Sequence, residues 1–520
     1  MHANFFAKTA YCIYNLQVES LLNKDLSDEE CVNEITSIAS NAWINYNGLL
    51  CDFRLEELLL SIGKKNIVEN PIIREKDGNN KILHVATNVW AIGGHTRVIL
   101  DWIINDNSSE HVLYLTNQDK LPEELIVDLK GIKIVFDSSQ SKIEKAKKLN
   151  TFSREYDLII LYHHPNDVVP NIAFANPSSI PVVVYNHADH VFWLGTSIAD
   201  CVVDIRNSNA TSLLRNNSKT FTIPFLSKSP LNYEKEALKK ELGIDPNSLV
   251  LLSMGAKYKF LPYNLNYIKN IIIPILKANN EIHYYLIGPD NVFVEKYITT
   301  NIPDNLIPLG YISNPEVYLK ACDIYIESAP IGSGMASIDV LNYKAAPLFS
   351  KCFSIEIGKT NAVGAFPSGK IRSIVPNNKI EFRNTLTELI RDKSKRAYYV
   401  KLCEEALFEM SLNNWKERIS LFYKSILKTS HNPQLIKSIV YNNDSNDFIK
   451  FTNSKKYVEL FQNNPFFEFY LPLYSVPISI ITLVKLNIWF IFSPKLYEHY
   501  QSLYILNKQY LKRVIKFIKT

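Results

Sequence analysis

Two imidazoles and a carboxylate stand within four residues of one another in the run Tyr185-Asn186-His187-Ala188-Asp189-His190. Imidazole and carboxylate accept or release a proton near neutral pH and also hold hydroxyl groups, so this run is a candidate for acid, base or hydroxyl-binding work. The spacing of His187 and His190 would let a helix offer both to zinc, but no third ligand is evident and no metal is expected. A purely structural use, with one histidine capping a strand end and the other exposed, stays open. His163 and His164, which close an apolar run upstream, are read as structural. A second run, Gly93-Gly94-His95-Thr96-Arg97, opens a helix whose apolar positions are Val98, Ile99, Trp102 and Ile103. Adjacent glycines let the backbone approach a ligand closely, and a helix N-terminus offers free N–H groups to an anion, although a plain tight turn uses the same residues.

Two later runs suit phosphate. Ser253-Met254-Gly255-Ala256-Lys257-Tyr258-Lys259-Phe260 leaves a β-rich run through a glycine turn, and its lysines Lys257 and Lys259 can neutralise a departing diphosphate. Glu327-Ser328-Ala329-Pro330-Ile331-Gly332-Ser333-Gly334-Met335-Ala336-Ser337-Ile338-Asp339 reads as a strand end, a glycine-rich turn and a helix start. The N–H groups of Gly332, Ser333 and Gly334 and the hydroxyls of Ser333 and Ser337 suit phosphate oxygens, while Asp339 suits the hydroxyls of a ribose. Solvated lysines and an unliganded helix cap would draw on the same residue types. Neither the G-x-x-x-x-G-K-[ST] spacing nor a G-x-G-x-x-G run after the first strand is present.

These runs need rigid elements beneath them. From about residue 80 the chain alternates short Val/Ile/Leu-rich runs with amphipathic helices, the pattern of parallel sheets with crossover helices, and it does so twice. The first series predicts strands at Ile82–Ala86, Val112–Thr116, Ile132–Phe136, Leu158–Tyr162, Pro181–Tyr185 and Cys201–Asp204, with a helix at Thr96–Asn105. The second predicts strands at Val250–Met254, Ile282–Ile287, Asp323–Ile326, Pro347–Ser350 and Arg372–Val375, with helices around Leu265–Ala278, Pro315–Ala321 and Ser337–Tyr343. The fold class is therefore α/β, with two doubly wound domains that leave a ligand cleft at the carboxyl ends of their strands. The division reads as a helical N-terminal extension over 1–78, a first domain over 79–225, a second over 226–430, and an aromatic, basic C-terminal extension over 431–520. In the first extension Leu55, Leu58, Leu59 and Ile62 share one helix face and nothing points to chemistry.

Phe466–Phe492 is apolar and aromatic but is interrupted by Pro472, Pro477 and Lys485, so it falls short of a transmembrane span. Leu506 to Lys519 is an amphipathic basic pattern that suits either an anionic membrane surface or packing on the first domain. With 57 basic and 52 acidic residues in 520, the chain is too balanced to grip nucleic acid over its whole surface. Seven scattered cysteines without a C-x-x-C, and no secretory pattern at the N-terminus, fit a cytoplasmic protein.

In this order and at these distances the four runs resemble a GT-B glycosyltransferase, over about residues 80–430. The Gly93-Gly94 loop resembles the glycine loop of the large retaining family that includes many bacterial cell-surface enzymes, and Gly310-Tyr311 through Pro347 resembles its donor-binding region. The resemblance implies two Rossmann-like domains, the first mainly for the acceptor and the second for the nucleotide sugar. It places Lys257 and Lys259 at the phosphates and His187 on the transferred sugar. Asp339 matches the second of that family's two glutamates, but Ile331 stands where the first is expected. The Gly332-Ser333-Gly334 turn is equally similar to inverting enzymes such as the O-GlcNAc transferases, in some of which a first-domain histidine is the candidate base, a place comparable to that of His95. Retention and inversion both stay open, with His95 or Asp189 as base under inversion. The implied function is metal-independent and cofactor-free hexosyl transfer from a nucleotide sugar, a UDP-sugar by preference, to a glycan, lipid-linked or protein acceptor. A bacterial surface polysaccharide or glycoconjugate made at the inner membrane face fits, with peripheral membrane contact through the C-terminus and no nucleic-acid partner. The alternatives are a degenerate GT-B subunit that stabilises a partner transferase, motivated by Ile331, and a nucleotide-sugar epimerase.

Overall fold

The computed structural model describes residues 5–68, 78–91, 93–206, 212, 215, 219–228, 233–263, 265–355, 362–367, 370–434 and 449. The chain opens with three helices, α1 (Phe5–Leu22), α2 (Asp28–Ile44) and α3 (Phe53–Asn66). Ser27 starts α2 with a reciprocal capping box to Glu30, and Asp52 caps α3 through the Arg54 N–H. On α3 the spacing of Leu55, Leu59 and Ile62 buries all three, as expected for one apolar face.

Next come β1 (Asn80–Ala86), α4 (Gly94–Asn105), β2 (Ser109–Leu115), α5 (Glu123–Asp128), β3 (Lys133–Phe136), α6 (Lys142–Ser153), β4 (Leu158–Tyr162), α7 (Val169–Ala173), β5 (Val182–Asn186), β6 (Cys201–Asp204) and β7 (Thr220–Thr222). They form one parallel sheet in the order β3-β2-β1-β4-β5-β6-β7. Every residue of β4 and β5 is buried, which is why their sequences run Leu-Ile-Ile-Leu-Tyr and Val-Val-Val-Tyr-Asn without alternation.

The second series is α8 (Lys235–Glu241), β8 (Leu249–Met254), α9 (Ile273–Lys277), β9 (Ile282–Ile287), α10 (Asn291–Tyr297), β10 (Leu306–Gly310), α11 (Glu316–Ala321), β11 (Ile324–Ile326), α12 (Gly334–Asn342) and β12 (Ala346–Leu348). Its parallel sheet runs β10-β9-β8-β11-β12. Three helices follow, α13 (Lys379–Arg391), α14 (Lys393–Phe408) and α15 (Leu412–Ile426). The core under this sheet includes Val250, Leu252, Tyr285, Ile287, Tyr325 and Val340.

The expected fold class, two doubly wound α/β sheets, is present, and several elements differ from expectation for identifiable reasons. Residues Lys370–Ile374 form a 3-10 turn rather than a strand, because Ile371 and Ile374 bury at a three-residue spacing. Strand β10 went unseen because it contains Pro308; it lies at the sheet edge, where a missing N–H costs no ladder bond. Strand β7 is three residues long and also an edge. The helix expected over Leu265–Ala278 is a π turn at Ile268–Ile272 followed by α9, with Pro274 in the first turn of the α segment.

The described residues fall into two compact units, one holding those up to Ile205, those from 209 to Thr222 and those from Ile419 onward, the other Arg206 and those from Ile223 to Arg418. Residues 419–430, expected with the second domain, thus belong to the first unit. Their packing explains it: Phe422 and Tyr423 of α15 meet Trp102 and Phe221, and the Tyr423 hydroxyl both donates to Asp106 and accepts from the Trp102 indole. The apolar and basic runs near the C-terminus, Phe466–Phe492 and Leu506–Lys519, lie outside the described residues. Among the described residues no helix is long and apolar enough to cross a membrane, and Cys31, Cys51, Cys201, Cys322, Cys352 and Cys403 form no disulfide.

Helix α3 is seated on α7 through Gly63, where an added Cβ would lie 2.4 Å from the Ala175 Cβ and 2.6 Å from the Ile172 carbonyl oxygen. Gly63→Ala, ordinarily a stabilising change inside a helix, is expected instead to cost about 1–3 kcal/mol by forcing the helices apart. Urea unfolding of the full chain measures it.

Candidate functional site

The structure resolves the proposed residues into two groups, one in each unit. In the first unit, β4 is followed directly by His163 and His164 and β5 by His187, and α4 brings His95 to them. His95 Nε2 lies 2.6 Å from the Tyr162 carbonyl oxygen, which can only accept, so Nε2 carries the proton. Its other nitrogen, Nδ1, is buried with no hydrogen-bond partner in the protein. The His95 ring sits 4.4 Å from that of His187 and 5.6 Å from that of His164. His187 is turned back on its own strand, its backbone N–H donating to the Tyr185 carbonyl at 2.9 Å. Burial holds His95 down to about 4, and holds His164 and His187 well below the usual imidazole range, the neighbouring histidines adding to the effect. The cluster is therefore neutral at pH 7, and His95 presents a lone pair at Nδ1.

Asp189 is placed differently. Its Oδ1 lies 3.1 Å from His190 Nδ1, and its backbone carbonyl accepts from the buried Arg215 guanidinium. Gly93 precedes α4 with φ 150°, a conformation that favours glycine, and Gly94 is the first helical residue. Sequence reasoning set His163 and His164 aside; both are buried beside this cluster, and the His163 Nδ1 atom also lacks a protein partner. Their signal was their position at the end of β4, the strand neighbouring β5.

In the second unit the ends of β8 and β9 touch through glycines. A Cβ on Gly288, whose φ is +107°, would fall 1.8 Å from the Gly255 carbonyl oxygen, and one on Gly255 would fall 2.7 Å from Ser333 Oγ. This close approach brings Lys259 to the start of α12, where its Nζ donates to the Gly332 carbonyl and to Ser333 Oγ, each at 3.1 Å. Ser333 stands at the cap position of α12, yet its hydroxyl engages Lys259 and, at 2.9 Å, Ser328, so the helix has no side-chain cap. Ser337 is fully buried, its hydroxyl donating to the Ser333 carbonyl at 2.9 Å, with the Tyr325 hydroxyl at 3.2 Å.

Lys257 is ion-paired with Asp290 at 2.5 Å; although burial works against it, the Lys257 hydrogen bond and charge hold the Asp290 carboxyl below its usual range. Asp290 was missed because its signal, a cap on α10, does not reveal a partner 33 residues away. Asp339 is half-buried on α12 near Tyr343, whose hydroxyl is pushed up by burial and by the charges of Glu316 and Asp339. Ile331, at the position of the expected glutamate, is buried. Among the described residues no group of three or more His, Cys, Asp or Glu side chains could hold a metal ion.

The buried histidines make stability depend on pH. The unfolded chain protonates His95 near 6.5, the folded chain only near 4, so stability is complete above about 6.5 and falls as pH drops toward 4. Lowering pH from about 7.5 to 5 is expected to cost wild type about 1–2 kcal/mol more than it costs His95→Gln, by denaturant unfolding.

No protein-family model matches the chain, and no curated protein sequence does. Solved structures do. HepE of Anabaena, solved with UDP and glucose, superposes with TM-score 0.51 at 15% identity over 67% of this chain and 100% of its own. The same protein solved with UDP gives 0.51 at 16% identity over 66% and 100%. A mutant O-GlcNAc transferase of Thermobaculum terrenum gives 0.50 at 13% identity over 81% of this chain and 84% of its own. With its two parallel, doubly wound sheets and these structural neighbours, the chain has the GT-B fold of glycosyltransferases.

Proposed function

We propose that the protein is a glycosyltransferase that moves a sugar from a UDP-sugar to an acceptor hydroxyl without a divalent ion. One observation carries the reading: the Lys259 ammonium is held beside the N-terminus of α12, which lacks a side-chain cap. A helix N-terminus bears partial positive charge and a lysine beside it adds to that charge, so the two together attract an anion. A diphosphate can accept from that lysine and from the helix N–H groups. When the bond between sugar and diphosphate breaks, negative charge grows on the leaving oxygen, and this fixed positive site stabilises it. UDP as the sugar's carrier is supported by HepE, which was solved with UDP.

In this reading Asp339 takes the ribose hydroxyls, Gly332, Ser333 and Gly334 line the diphosphate, and Lys257 adds charge by exchanging Asp290 for phosphate. Ser337 contributes by shaping the turn through the Ser333 carbonyl. In the first unit, Gly93 and Gly94 form the loop that admits the donor. Under inversion His95 Nδ1 takes the acceptor proton, its Nε2–H fixed by the Tyr162 carbonyl. Under retention His187 orients the transferred sugar, and anomeric assignment of the product by NMR decides between the two. We place the acceptor among glycans, lipid-linked glycans and proteins, with synthesis on the cytoplasmic membrane face and the basic C-terminal pattern as the membrane contact.

Buried Ile331 favours a second reading, a GT-B subunit that binds a partner without catalysis. A panel of nucleotide sugars separates the two: the transferase gains thermal stability from its donor by mass action, whereas the degenerate subunit gains none. Lys259→Ala is expected to lower turnover by about 10²-fold or more with the fold intact, the loss typical of one electrostatic stabiliser. A near-wild-type rate in a steady-state assay of UDP release would remove Lys259 from the mechanism.

A further inference from the structure

The segment that carries His187 and Asp189 into the 3-10 turn at Thr196–Ile198 has little regular structure, yet Val191 to Ile198 are buried. Buried main chain must find partners, and here many of them are two full charges of opposite sign. The Glu56 carboxylate, on α3, is 1% exposed. Its Oε1 accepts from the N–H of Gly195 at 2.7 Å and of Thr196 at 3.2 Å, and its Oε2 accepts from the Ser197 N–H at 3.1 Å, Asn171 Nδ2 at 2.8 Å and the Ser197 hydroxyl. The Arg215 guanidinium is fully buried over the Trp193 ring and donates to the carbonyls of Asp189 at 3.2 Å, Val191 at 2.6 Å and Leu50 at 3.3 Å. The Trp193 N–H also goes to Leu50, at 3.1 Å.

Each charge is thus solvated by loop backbone, the anion by N–H groups and the cation by carbonyls. Such bonds are short, directional and stronger than neutral ones, so they fix where the main chain runs as well as that it is buried. Gly195 tightens the arrangement: with φ +123°, its missing Cβ would lie 2.9 Å from the His163 ring, whose Nε2 donates to the Leu194 carbonyl at 2.6 Å.

We infer that Glu56 and Arg215 are positioning residues for the His187–Asp189 loop, and that the N-terminal helices are thereby part of the site on the first unit. The catalytic consequence rests on the transferase reading; the structural one does not. The test uses the full chain with Glu56→Gln, which keeps shape but turns an amide N–H₂ toward N–H donors, and with the milder Ser197→Ala, which removes one donor and keeps the decision open should Glu56→Gln not fold.

Hydrogen exchange read by mass spectrometry is expected to quicken about 10-fold or more at residues 193–197 while β4 stays protected, the pattern of local opening. At saturating donor, kcat per UDP-binding site is expected to fall about 10-fold or more, because small misplacement of reacting groups is costly. The Kd for UDP should stay within about two-fold, since UDP is read by the other unit. Ser197→Ala should shift both readouts the same way by less. Unchanged exchange in the folded variants overturns the inference, and so does quickened exchange with kcat unchanged or with UDP binding weakened in proportion. A wild type that neither binds nor turns over any UDP-sugar overturns the transferase reading instead, and the exchange arm then decides alone whether Glu56 holds the loop.

Discussion

A lysine ammonium set against the positive end of a helix concentrates positive charge at one point, and the packing of the second unit puts it there. Lys259 is brought to α12 by the glycine contact between the ends of β8 and β9, and is held there by the Gly332 carbonyl and the Ser333 hydroxyl. The serine that would ordinarily cap the helix is drawn toward the lysine and Ser328. The outcome is two sources of positive charge, the lysine and the helix N-terminus, side by side where β8 and β9 end.

The first unit solves the complementary problem of keeping basic groups neutral. Four histidines gather where β4, β5 and the start of α4 meet, and burial keeps them unprotonated at neutral pH. The Tyr162 carbonyl fixes one tautomer of His95, so the lone pair is left on Nδ1. A low pKa weakens a base but keeps it unprotonated at neutral pH. The same burial makes this unit sensitive to acid, because the unfolded chain binds protons that the folded one refuses.

The loop between these histidines and the sheet is held by charges from distant parts of the chain. Glu56 reaches it across 139 residues to Gly195, and Arg215 returns to Leu50 across 165. The N-terminal helices accordingly do more than cover the sheet: α3, packed on α7 through Gly63, also supplies the carboxylate that the loop N–H groups meet.

What the amino-acid sequence determined by itself was what depends on neighbours in the chain. Doubly buried strands must be continuously apolar, so β1, β4, β5, β6, β8 and β9 were legible, as was the helical register of α3 and α4 and the glycine turns that precede α4 and α12. Lys257, Lys259, Ser333 and His95 stand out because residue type and local position constrain the chemistry open to them. Tertiary structure alone decided which of them meet. It paired Lys257 with Asp290, directed the Ser337 hydroxyl inward, gave Asp189 to His190, and made Glu56, read as part of a helix without chemistry, the acceptor for the main chain of Gly195–Ser197. Strand β10 and the turn at Lys370–Ile374 belong with these: an edge tolerates Pro308, and a burial spacing of three defeats a β-rich composition. The reason is common to all. Local pattern reports the dihedral angles a segment prefers, whereas the partner of a buried charge is set by which backbone groups the fold brings within hydrogen-bonding distance, and that distance is not written in any single stretch of chain.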